Sequence, residues 1–170
     1  MDTAQILREY FSGEKAEAFW ILATGSASLV AALMLWACVR EPFARGLALG
    51  LLLVAALGVT VGSTVYFRSD AQSQRLAELH EVDPARFAAE EGPRMRKVVA
   101  SFGHYRIGYA VAVLAALALV FAAGRPFQHG LAVGLLLLAA TGLTVDFFAE
   151  RRAVTYVTAL EAQGSQPRAR

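Results

Sequence analysis

Five side chains of this sequence have types and spacings that could do chemistry together. His104, Tyr105 and Arg106 form one short run, and Asp146 and Glu150 stand one helical turn apart. If the two segments run antiparallel, Arg106 comes within reach of Asp146 or Glu150. Three kinds of chemistry would then be open: an ion pair fixing the register of two helices, a solute or proton site, or acid–base catalysis through His104 and Glu150. Arg106 could also extend to lipid headgroups on its long aliphatic stem.

Other chemistry finds no footing. There is no HExxH, no CxxC pair, no Gly-x-Ser-x-Gly elbow and no phosphate-cradling glycine loop. The one cysteine, Cys38, leaves no internal disulfide or cysteine-based metal site, and His80, His104 and His129 are too scattered to suggest a haem pair. We expect no catalytic residue, metal or cofactor. The 16 basic residues form no stripe interleaved with aromatics, so nucleic acid is not an expected partner.

What must position the five residues is a set of membrane spans. The chain is 56% hydrophobic and only 18% charged, with a mean hydropathy of +0.47. That is too apolar for a soluble domain of 170 residues. Crossing about 30 Å of hydrocarbon takes roughly 20 apolar helical residues. Four uncharged runs of about that length are present: Ala18 to Val39, Gly46 to Phe67, Ile107 to Gly124 and Pro126 to Val145. Within lipid, short runs joined by polar turns must satisfy their own backbone as helices. The fold expected is all-α, a single four-helix bundle over residues 1–170.

Lysine and arginine are distributed very unevenly about these runs. Thirteen lie on the side of the termini and the middle loop, including Arg168 and Arg170 near the C-terminus, and only Arg40, Arg45 and Arg125 lie on the other. The positive-inside rule puts both termini in the cytoplasm. Heavy use of Ala, Leu, Gly and Arg is typical of a bacterial chain, so the expected location is the bacterial inner membrane. A cleaved signal peptide fits poorly, since the first run is long and follows an acidic, helix-compatible segment. Leu35-Trp36-Ala37-Cys38 resembles a lipoprotein cleavage box only faintly, because Trp36 is bulky where such boxes are small.

The spans read as a tandem duplication. Shifted by 84 positions, residues 42–61 match residues 126–145 at 14 of 20 positions, with Pro42-Phe43 on Pro126-Phe127. Repeat one then covers about residues 18–67 and repeat two about 107–152, and two-span units of this kind run parallel. Gly46, Gly50, Gly58 and Gly62 recur at fourth positions, and Gly130, Gly134, Gly142 and Asp146 answer them. Such stripes let helices approach closely in lipid, where no hydrophobic force joins them; packing within the chain and between subunits are both open. The copies differ in charge: Trp20, Leu22, Gly62 and Tyr66 correspond to His104, Arg106, Asp146 and Glu150.

The middle loop, 68–106, reads as short cytoplasmic helices. The second span continues through Leu79, Asp83-Pro84 caps a helix ending near Glu91, and Gly92-Pro93 opens another. That last piece sets Met95, Val98, Val99 and Phe102 against Arg94, Arg96 and Lys97. Such a helix either lies on the membrane with its basic residues on anionic headgroups or packs on the protein.

Three functions are compatible with these features. The first is a non-enzymatic membrane protein that self-associates or serves as an accessory subunit of a complex. The second is a small ion or solute channel or carrier, lined by hydroxyls such as Thr24, Thr60, Thr141 and Thr144. The third is a membrane enzyme working at the cytoplasmic edge. The partners expected are membrane lipid and either further copies or another membrane protein.

Overall fold

A computed structural model describes residues 3–164; Arg168 and Arg170, counted in the charge balance, lie outside the described residues. The chain forms four helices, α1 (Thr3–Cys38), α2 (Pro42–Val82), α3 (Pro84–Ala123) and α4 (Pro126–Gly164). All four are long and apolar enough to cross a membrane, and the protein is built as a multi-pass membrane protein. Each helix has 36 to 41 residues. At 1.5 Å per residue that is about 60 Å, twice the thickness of the hydrocarbon layer. Every helix is therefore part apolar span and part polar extension, and the bundle has an apolar half and a polar half.

Turns are as short as the chain permits, and α2, α3 and α4 each open on a proline, Pro42, Pro84 and Pro126. A proline in the first turn loses no hydrogen bond and starts with a helical φ. Between α2 and α3 only Asp83 is non-helical, and its carboxylate caps α3 by accepting from the Arg86 amide at 3.0 Å. Gly124 ends α3 at φ 55°, in the left-handed region that favours glycine.

The set of short helices expected between residues 68 and 106 is not present. The capped start at Asp83 is as read, but α3 does not stop near Glu91 and runs unbroken through Pro93 to Ala123. Pro93 removes the amide that would bond the Ala89 carbonyl, and Ala89 lies on the exposed side of the helix. Phe87, Met95 and Phe102 are buried on the inner side. Burial along that face outweighs the local break.

α2 and α4 form the centre of the bundle. α1 packs on α2 and α3 on α4, while the α1 and α3 backbones stay apart. In the polar half, Leu7, Tyr10 and Phe11 of α1, Leu76 of α2, Phe87, Met95 and Phe102 of α3, and Ala153 and Tyr156 of α4 make one core. In the apolar half the buried side chains are small, chiefly Ala32, Ala44, Ala48, Ala55, Ala116, Ala132 and Ala139. Ion pairs cluster where the halves meet: Lys15–Asp70 at 2.5 Å, Arg68–Glu14 at 3.7 Å, Arg106–Glu150 at 2.9 Å and Arg152–Glu17.

Candidate functional site: a cleft ending on Asp146

The glycine stripes face inward, and the chain uses them itself. A Cβ on Gly46 would strike the Phe127 carbonyl, and one on Gly130 the Phe43 carbonyl. Gly50 and Gly134 meet each other, with a Cβ on either falling 2.5 Å from the other's Cα. Here the α2 and α4 backbones touch, with no side chain between them. The next level down differs between the hairpins. Gly58 faces Gly25 of α1, whereas Gly142 lies under the ring of Tyr109 of α3. Gly62 packs on the Leu22 backbone.

Of the five side chains singled out for chemistry, the fold joins two. Arg106 Nη2 donates to Glu150 Oε1 at 2.9 Å. Asp146, one turn nearer the centre of the apolar half, makes no ion pair with Arg106; its carboxylate has the Tyr109 side chain as a neighbour. Arg106 extends away from the span toward water, as its long stem allows, and meets the outer carboxylate first. His104 is exposed, and Tyr105 is half exposed with its ring edge-on to Phe102. No hydrogen bond joins His104 to Glu150 among the described residues.

The basic run on α3 also divides. Arg94 turns inward and grips Glu91, which is 1% exposed, through two bonds of 2.7 and 2.6 Å, while the Tyr156 hydroxyl donates to the same carboxylate at 3.2 Å. Burial and then the Glu91 carboxylate hold the Tyr156 phenol well above its usual pKa, so it stays a neutral donor. Arg96 reaches toward Glu161 at 3.4 Å, and Lys97 is exposed. With Met95 and Phe102 buried in the core, this stretch packs as part of the bundle.

A cleft of about 450 Å³ lies between α1, α2 and α4, and Tyr109 reaches it from α3 across Gly142. Val54, Leu57, Val61, Leu138 and Val145 make its apolar wall. Trp20 and Phe148, 69% and 58% exposed, stand among its lining. Its polar end holds Asp146 and the paired Glu17 and Arg152. Asp146 Oδ2 is buried without a hydrogen-bond partner, and so is Arg152 Nε, although Glu17 answers that guanidinium and the Tyr10 ring lies 5.9 Å from it. Thr144 donates to Ala140 and Thr64 to Thr60, each within its own helix.

Sequence reasoning missed Tyr109, Glu17, Arg152 and Glu91. Tyr109 was within reach, because the 84-residue shift that exposes Asp146 opposite Gly62 also sets Tyr109 opposite Gly25. Glu17 and Arg152 are 135 positions apart, and only the apposition of α1 and α4 joins them. Compared with protein families, curated proteins and solved structures, the chain matches none.

Proposed function

We propose that this chain is a non-enzymatic, multi-pass subunit of a bacterial inner-membrane complex, with both termini in the cytoplasm, and that it arose by duplication of a two-helix hairpin. The observation that carries the reading is the backbone contact of α2 and α4 at Gly46, Gly50, Gly130 and Gly134, which leaves no room for a path between the central helices. Of the hydroxyls along the spans, those of Ser63, Thr64 and Thr144 bond their own helix backbone. Reciprocity favours the duplication: the 84-residue shift carries Gly46 on Phe127 into Gly130 on Phe43.

Because the glycine stripes are consumed inside the chain, association with another membrane protein or another copy falls to a different face. α3 offers the least covered one: only 6% of its most apolar window is buried, against 28% for α2. Ile107, Val111, Leu114 and Phe121 are exposed along it. Partner attachment there is the expectation.

Two measurements test the reading. Reconstituted in liposomes, the chain should pass no more K⁺, Na⁺ or H⁺ than empty vesicles, and protein extracted in mild detergent should migrate larger than a monomer. Ion flux, or a strictly monomeric particle with no companion, overturns it. Cys38, exposed at the end of α1 far from the termini, should react with a membrane-impermeant maleimide added outside intact spheroplasts. Reaction only after lysis would reverse the orientation.

A further inference from the structure

We propose that the cleft between α1, α2 and α4 is a binding site for a lipophilic organic monocation, with Asp146 as its counter-ion. The inference is independent of the subunit reading. It stands on the volume, the lining and the charge balance together. The volume, about 450 Å³, lies in the range of about 300–1,000 Å³ typical of small-molecule sites. The wall is apolar from Val54 to Val145, so the body of the ligand must be apolar as well.

The charges select the sign. Five ionisable groups lie at or beside the polar end: Glu17, Arg106, Asp146, Glu150 and Arg152. Arg152 is matched by Glu17, and Arg106 by Glu150. Asp146 is left with Tyr109 as a neutral neighbour and with Oδ2 buried and unbonded. A carboxylate next to an apolar wall and without a counter-charge is costly, and a bound cation removes that cost. Trp20, Tyr109 and Phe148 line the same cleft, and aromatic rings attract cations over their faces.

Position orients the ligand. Asp146 is the first residue beyond the apolar run that ends at Val145, while Leu57 and Val54 lie one and two turns deeper than Val61. The charged end of the ligand therefore sits where the apolar and polar halves meet, and its apolar body lies toward the centre of the span. The first hairpin has no equivalent site, because Gly62 and Gly25 stand where the second has Asp146 and Tyr109. There the helices close on each other.

The test is equilibrium binding to the detergent-purified full-length chain. Trp36 is replaced by Phe so that Trp20, in the cleft, is the sole tryptophan and reports occupancy by its fluorescence. Tetraphenylphosphonium and tetraphenylborate, alike in shape and opposite in charge, are the two probes. Saturable 1:1 binding of the phosphonium and at least about tenfold weaker binding of the borate are expected, a difference of about 1.4 kcal/mol. Asp146→Asn, and Asp146→Gly, which copies the first hairpin, should each weaken phosphonium binding at least about tenfold with helicity retained. Equal affinity for both probes overturns the proposal, since the cleft would then be reading apolar bulk alone; absence of saturable phosphonium binding overturns it too. So does undiminished phosphonium binding by a folded Asp146→Asn chain. If both variants fail to fold, the two probes on the unmutated aspartate still decide.

Discussion

The same four helices are packed by opposite rules in their two halves. In the polar half the buried residues are large: Leu7, Phe11, Phe87, Met95 and Tyr156 interlock around a buried Glu91. In the apolar half they are chiefly Gly and Ala, and the α2 and α4 backbones touch at Gly50 and Gly134. Water explains the first. Burying large apolar side chains removes surface from water, at about 25 cal/mol per Å². Lipid explains the second, because a Leu gains little by leaving acyl chains for protein. Close approach of smooth surfaces, with its dispersion and weak Cα–H···O contacts, is what remains to hold helices together. Large residues in that half accordingly point outward, as Phe19, Leu33, Met34, Leu114 and Phe121 do. The change of rule along each helix falls at the band of ion pairs from Lys15–Asp70 to Arg152–Glu17.

The contrast is broken most severely by adding volume where backbones touch. Gly50→Leu must drive α2 from α4, because even a Cβ there falls 2.5 Å from the Gly134 Cα. The cost should exceed the roughly 1–3 kcal/mol of ordinary core overpacking, since backbone cannot rotate aside as a side chain can. Thermal unfolding in detergent should show a large loss of stability. Gly103 is the control: nothing lies within 4 Å of a Cβ placed on it. Gly103→Ala should be neutral or stabilising by up to about 1 kcal/mol from helix propensity alone. If Gly50→Leu melts like the parent chain, the tight α2/α4 contact is wrong.

Those two glycines also mark what could be read from sequence. The spans were legible because the thickness of hydrocarbon demands a length, and the stripe of Gly46, Gly50, Gly58 and Gly62 because close packing demands small residues at fixed spacing. Neither constraint reaches residues 68–106. There the local signal of Gly92-Pro93 pointed to a break, and what holds α3 continuous is the burial of Phe87, Met95 and Phe102 against three other helices. The candidate site was half legible for a similar reason. Comparing hairpins located Asp146 as an excess charge, but its neighbour depended on how far each side chain reaches. Arg106 went outward to Glu150, and Tyr109 came in over Gly142.

A smaller effect is expected at the centre of the polar half. Glu91→Ala removes the acceptor of both Arg94 and Tyr156. It leaves a guanidinium partly buried and unpaired beside Met95. Breaking a buried ion pair by removing one partner costs about 3–5 kcal/mol, and with Arg94 one-third exposed the low end of that range is expected. A double-mutant cycle of Glu91→Ala with Arg94→Met measures it. A coupling near zero would mean that apolar packing alone holds this half and that Glu91 is incidental to it.

The smallest effect should come from the pair that looked most like a site in the sequence. Arg106 and Glu150 are 56% and 28% exposed at a separation of 2.9 Å, and exposed ion pairs are worth about 0–1 kcal/mol because water competes for both charges. Arg106→Ala should therefore change the melting temperature little, and raising the salt concentration should shrink the difference further. A loss as large as that of Glu91→Ala would mean that lipid or a partner shields this pair from water. The boundary between the two packing rules would then lie further toward the polar half than the band of ion pairs suggests.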